Sequence, residues 1–216
     1  MVPEHLIPDV ATHYHLGSRP PFLNLSDLPP DRLEEVLADL ARERADGLSA
    51  RVFGRRYMEL RRRTEERLLS LFLEAGGKPE RSTPHYFVLG ASSWYEGLAP
   101  DMAAFVVRLS DLPTEATSLT IPDSFNSMGF GPAYGLPQED RAYHDRVYRL
   151  EDLPALVSAY GLPDNDASAD NDAWAGNGSP DDSYDGYQFR PFEKYIEVQL
   201  WSDRPLAAYG IEASGS

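Results

Sequence analysis

Three clusters of side chains in this 216-residue sequence have types and spacings that could do chemistry. The one nearest the C-terminus reads Phe192-Glu193-Lys194-Tyr195-Ile196-Glu197-Val198-Gln199-Leu200-Trp201. As a strand it puts Ile196, Val198 and Leu200 on one face and Tyr195, Glu197, Gln199 and Trp201 on the other. A carboxylate and an amide two residues apart among aromatic rings suit a cleft floor, where the carboxylate stabilises positive charge developing at a sugar carbon. Glu197 and Gln199 are the candidate catalytic pair. An edge strand with an exposed Glu and Gln is the competing reading of the same pattern.

The second cluster is Pro84-His85-Tyr86-Phe87-Val88-Leu89-Gly90-Ala91-Ser92-Ser93-Trp94-Tyr95-Glu96. Both faces of its alternation are partly apolar, which predicts an interior strand. The small residues of the turn leave room beside Tyr86 and Trp94, where rings either stack a planar ligand or pack as core. The third cluster is Thr12-His13-Tyr14-His15-Leu16-Gly17-Ser18-Arg19. Here His13 and His15 share a strand face, and a Gly-Ser turn allows close backbone approach to a ligand. The remaining histidines are scattered and no carboxylate has ligand spacing, so no metal is expected. Asp123, Ser124, Asn126 and Ser127, in a loop after a strand-like run, are further candidate ligand contacts.

Other chemistries lose their sequence support. The absence of Cys removes disulfides, thiol nucleophiles and thiolate zinc sites. No GxGxxG, GxSxG, HExxH or Walker loop occurs.

Several elements must position these clusters. Leu33, Val36, Leu37, Leu40 and Ala41 predict a helix over 31–45, opened by Pro29-Pro30. Mixed three-and-four spacing from Val52 to Phe72 predicts a second, basic helix over 49–75, bent at Gly54 and stopped by Gly76-Gly77. Strands are expected at 12–16, 85–89, 104–109, 118–121, 146–150 and 195–201, with a short helix at 153–159. The order, a strand, two helices and then mostly strands, means an α+β fold in a single domain, 1–216. A short motif recurs at Leu25-Ser-Asp-Leu-Pro29, Leu109-Ser-Asp-Leu-Pro113 and Leu150-Glu-Asp-Leu-Pro154, and reads as reused turn punctuation.

Charge is unevenly spread. The net charge is −15, which excludes a uniformly basic nucleic-acid-coating protein. Residues 1–81 carry 13 basic and 14 acidic side chains, and 82–216 carry 7 and 21. The acid is densest in the segment 163–185, expected to be a flexible insert loop that is solvated rather than calcium-binding. Arginines 51, 55, 56, 61, 62, 63 and 67 give the second helix a basic face. That face either docks nucleic acid or another acidic macromolecule or pairs with Glu59, Glu65 and Glu66 at helical spacing. No long apolar run or signal-peptide pattern is present, so a cytoplasmic protein with no membrane partner is expected.

Taken in order, the three clusters resemble the ADP-ribosyltransferase superfamily, in the branch with a His, Tyr, Glu signature that includes poly(ADP-ribose) polymerases and bacterial DNA ADP-ribosyltransferases. His15-Leu16-Gly17-Ser18-Arg19 is similar to that branch's His-Gly-Ser/Thr element, with Leu16 inserted. Tyr86-Phe87 followed by Ser92, Ser93 and Tyr95 resembles its second element, and Tyr195-Ile196-Glu197-Val198-Gln199 its catalytic strand. The resemblance implies a split, mostly antiparallel central sheet with the two helices inserted after the first strand. It implies NAD⁺ as substrate and ADP-ribosyl transfer to a macromolecular acceptor. His13 or His15, with Ser18 and Arg19, would hold ribose; Tyr86, Ser92 and Tyr95 would face nicotinamide; Glu193 or Glu197 would supply the carboxylate. All of these must then line one cleft. The alternative is a non-catalytic interaction module, an antitoxin, immunity or regulatory partner, in which the acidic loop binds a basic protein and the arginine helix mediates contact.

Overall fold

A computed structural model describes residues 7–49, 56–129, 141–163 and 195–211. Six strands form one antiparallel sheet: β1 Val10–Leu16, β2 His85–Leu89, β3 Met102–Arg108, β4 Thr117–Thr120, β5 Tyr148–Arg149 and β6 Glu197–Leu200, in the order β3-β1-β2-β6-β4-β5. The α+β class and the two helices after the first strand are as expected. The sheet is continuous, with β6 bridging β2 and β4, and is not split. The strand carrying Glu197 is therefore interior, which removes the edge-strand reading.

Register assigns each side chain a face. Ala11 lies opposite Leu89, Tyr86 opposite Gln199, Val88 opposite Glu197, and Thr120 opposite Glu197 on the far side. One face carries Ala11, Phe87, Leu89, Leu119, Val198 and Leu200 and packs against Leu153, Leu156 and Val157 of α5, Leu153–Tyr160. The other carries Tyr14, Leu16, Tyr86, Val88, Glu197, Gln199 and Trp201. It lies under α1, Pro30–Ala45, and α2, Tyr57–Glu74. Two single-turn helices flank it, α3 Ser93–Glu96 and α4 Ser124–Ser127, and a third, α6 Arg204–Ala207, follows β6.

Local sequence accounts for the elements. In α1, Leu33, Val36 and Leu40 form the buried stripe, and Gly47 at φ +74° ends the helix region. In α2 the stripe is Tyr57, Leu60, Thr64, Leu68 and Phe72. Its end is a Schellman turn: Gly77 N–H donates to the Phe72 carbonyl at 2.8 Å and Gly76 N–H to the Leu73 carbonyl at 3.0 Å, with Gly76 at φ +84°. All three copies of the Leu-x-Asp-Leu-Pro motif fold into a 3₁₀ turn. In each, the second Leu donates its amide to the carbonyl of the first, and the Pro that follows sets the next turn. The strand expected at 146–150 shrinks to Tyr148–Arg149 because Leu150 enters its 3₁₀ turn. The acidic segment from 164 onward, Glu193, and Gly54 with its expected bend lie outside the described residues.

Candidate active site on the helix side of the sheet

Glu197 begins β6 in the middle of the sheet, almost wholly buried, with its side chain toward α2 and α4. Burial pushes its carboxyl up to about 7, and the neighbouring Asp123 carboxylate pushes the same way; hydrogen bonds from Gln199 and Ser124 and the charge of Arg61 act against them. Asp123 caps α4. Its Oδ1 accepts from the Asn126 backbone N–H at 3.2 Å and its Oδ2 from the Asn126 amide at 2.6 Å. Burial raises its pKa too, against those hydrogen bonds. Buried Glu197 and half-buried Asp123, both with raised pKa values, resist simultaneous ionisation on one site, so Glu197 is still partly protonated near neutrality.

Tyrosines wall the carboxyls. The Tyr195 and Tyr95 hydroxyls are 3.0 Å apart, and the Tyr95 ring stacks on Tyr14 at 5.3 Å. Trp94 meets Tyr95 edge-on at 4.7 Å. Burial, then the nearby Tyr95, Asp123 and Glu197, hold the Tyr195 phenol well above its usual range. Ser92 caps α3, and its own N–H donates to the Tyr14 hydroxyl at 2.8 Å.

On the α2 side, Arg61 is turned into the protein. Its guanidinium donates to Asn24 Oδ1 at 2.8 Å, the Tyr57 hydroxyl at 2.9 Å, Ser26 Oγ at 3.0 Å and Glu65 Oε1 at 3.0 Å. It lies 4.8 Å from the Tyr86 ring centre, and the Tyr86 hydroxyl donates to Glu65 Oε1 at 3.1 Å. Arg61 and Glu65 thus fix Tyr86 beside Glu197. Three other arginines of the helix region pair along the surface, Arg56 and Arg63 with Glu59 and Arg67 with Asp145 at 2.5 Å, and Arg62 is exposed.

The structure therefore brings Glu197, Gln199, Tyr86, Ser92 and Tyr95 to one face, together with Asp123 and Ser124. It does not bring the histidines there. The β1 register places His13 and His15 with Ala11, on the opposite face of the sheet. The Phe22 N–H donates to His13 Nε2 at 3.1 Å, so Nδ1 carries the proton and donates to the Tyr86 carbonyl at 2.8 Å. His15 Nδ1 faces the Leu16 and Arg19 carbonyls at 2.9 and 3.1 Å. These contacts make both histidines fasteners of the β1 end. The Gly17-Ser18 turn is also structural. The Gly17 N–H donates to the Asp101 carbonyl at 2.8 Å, and a Cβ on Gly17 would lie 2.9 Å from that oxygen. Arg19 pairs with Glu43 at 2.7 Å, and Ser18 is exposed at the strand end. The one-cleft requirement of the His-Tyr-Glu reading is not met, because strand alternation sends Tyr14, and not its histidine neighbours, toward Glu197.

No family model matches this chain, and no curated protein or solved structure does either.

Tyr14 and Asn24 were not singled out from sequence, and Arg61 and Glu65 were named there only as members of a helical-spacing ion pairing, which forms. Strand parity alone places Tyr14 opposite the histidines. Arg61 among seven arginines carries no local sign that it points inward. Among the described residues, no group of three or more His, Asp and Glu stands where it could hold a metal, and no helix is long and apolar enough to cross a membrane.

Proposed function

We propose that the helix-side face is the active site of an enzyme that cleaves or transfers at a glycosidic carbon, with Glu197 and Asp123 as its carboxyl pair. The observation that carries this reading is the placement of buried Glu197 and half-buried Asp123 together on one tyrosine-walled face. Departure of a leaving group from a sugar carbon builds positive charge on the sugar and negative charge on the leaving atom. One carboxylate stabilises the first while one carboxylic acid protonates the second. A pair that retains one proton near neutral pH supplies both forms at once.

ADP-ribosyl transfer from NAD⁺ is the narrower form of the proposal. It keeps Tyr86, Ser92, Tyr95 and Glu197 and gives up the ribose contacts of His13, His15, Ser18 and Arg19. NAD⁺ accordingly enters the test beside nucleosides, sugar nucleotides and aryl glycosides. The non-catalytic alternative draws little support from the described part of the arginine helix, since Arg61 is internal, Arg56, Arg63 and Arg67 have acidic partners, and Arg62 alone of these stands exposed with no ion pair among the described residues.

The test incubates the protein with this panel and separates the products. Cleavage at the sugar carbon is expected, falling by about a hundredfold or more in Glu197→Gln with the circular dichroism spectrum unchanged. If the parent protein cleaves no member of the panel, the proposal is wrong.

A further inference from the structure

Behind Glu197 runs a buried chain of hydrogen bonds whose direction is dictated from its far end. The Trp201 indole N–H can only donate, and it donates to Ser118 Oγ at 2.8 Å. The fully buried Ser118 hydroxyl needs an acceptor for its own hydrogen and donates it to Gln199 Oε1, 2.8 Å away, so Gln199 presents its carbonyl oxygen there. The amide nitrogen is left facing the other way. It donates to Thr120 Oγ1 at 2.9 Å and to Glu197 Oε1 at 3.0 Å. Gln199, Ser118 and Trp201 have no measurable surface exposure, so solvent does not compete for any of these bonds. Both amide hydrogens of Gln199 are used. It cannot also bind a substrate, and its place in the candidate catalytic pair becomes an indirect one.

We infer that Gln199 is the positioning residue of Glu197 and that Trp201, through Ser118, sets its polarity. The amide holds Oε1 as an acceptor and so fixes the orientation of the carboxyl. The inference rests on the reading of Glu197 as the working carboxyl.

Other groups face the same carboxyl: Asp123 and Ser124 at α4, Arg61 and Glu65 from α2, Tyr86 from β2, and Tyr195 just before β6. Among the described residues, none of these groups takes part in the side-chain hydrogen bonds of Ser118 and Trp201. Those two positions therefore isolate the chain from the remaining electrostatics of the site. A donor to the ionised form lowers a carboxyl's proton affinity, so taking the donor away raises it.

The experiment is a carbon-detected NMR titration of the Glu197 side-chain carboxyl in the parent, Gln199→Met, Ser118→Ala and Trp201→Phe proteins, each checked for a native spectrum. In Gln199→Met the midpoint is expected to rise by on the order of one pH unit, about tenfold in proton affinity. In Ser118→Ala and Trp201→Phe, which never touch Glu197, it moves the same way by less, because the amide is freed to turn. The doubly substituted Ser118→Ala, Gln199→Met protein matches Gln199→Met alone. A parent midpoint near 7 that stays put in Gln199→Met overturns the positioning role, and one that stays put in both Ser118→Ala and Trp201→Phe overturns the control by Trp201. If Gln199→Met does not fold, Gln199→Asn, whose shorter side chain withdraws the amide from Oε1, takes its place, with the same rise expected and an unmoved midpoint overturning the positioning role. A parent midpoint near 4.5 overturns instead the reading of Glu197 on which the inference rests.

Discussion

A carboxyl side chain is seldom buried in the middle of a sheet without cost, and Glu197 shows where the cost falls. Its pKa is raised in the folded protein to about 7, above its unfolded value near 4.5. The fold therefore favours the protonated form. That stability is fully present below pH 4.5 and is lost as pH rises through 7. Glu197→Gln keeps the shape and the acceptor for Gln199 without ever ionising. Urea denaturation at pH 8 is expected to find Glu197→Gln more stable than the parent, by on the order of 2 kcal/mol. Near pH 4.5 the two should be close to equal. A destabilised Glu197→Gln at pH 8 would mean that the carboxylate is stabilised where it sits. Sequence revealed this residue through alternation alone, since Tyr195, Glu197, Gln199 and Trp201 share a parity. It could not reveal Asp123 as a partner carboxyl, because a 74-residue separation is closed only by the pairing of β4 with β6.

At the scale of elements, local pattern was informative wherever one face is apolar and one polar. The stripes of α1 and α2, the Gly76-Gly77 stop, the interior position of β2 and the three 3₁₀ turns all follow from spacing and turn chemistry. The histidine face was assigned correctly within β1, but which face of the sheet it becomes depends on register with β2 and β3, a long-range property. The end of α2 also bears on the site. A Cβ added to Gly77 would meet the Phe72 ring at 2.4 Å, and that fully buried ring stacks on Trp201 at 5.8 Å. The ring has little room to yield. Gly77→Ala is expected to cost about 1–3 kcal/mol in chemical denaturation. A cost below about 0.5 kcal/mol would show that this corner repacks freely.

For the molecule as a whole, two buried groups on opposite faces set opposing pH limits. His85 lies on the α5 side, with Nε2 2.6 Å from Asp203 Oδ1, and Arg81 ties Asp203 to Asp27. Burial lowers the His85 pKa, against the raising effect of Asp203. Its folded state therefore favours the neutral ring, and the stability this gives is lost as pH falls below the unfolded value near 6.5. Glu197 loses stability in the other direction. Between about pH 4.5 and 6.5 the two effects oppose, so thermal denaturation should find the parent nearly level there and Glu197→Gln gaining stability as pH rises. A Glu197→Gln protein that loses stability over that range would be the opposite result. The net charge of −15 revealed neither limit, because both reside in buried groups.

The proposed carboxyl pair on the helix side of the sheet is expected to hold a proton at neutral pH. Direct titration of the Glu197 carboxyl by NMR in the unmodified protein tests it without knowledge of the substrate. A midpoint near 7, shifted downward when Asp123 is replaced by Asn, is the expected result. A midpoint near 4.5, unmoved by Asp123→Asn, would contradict it.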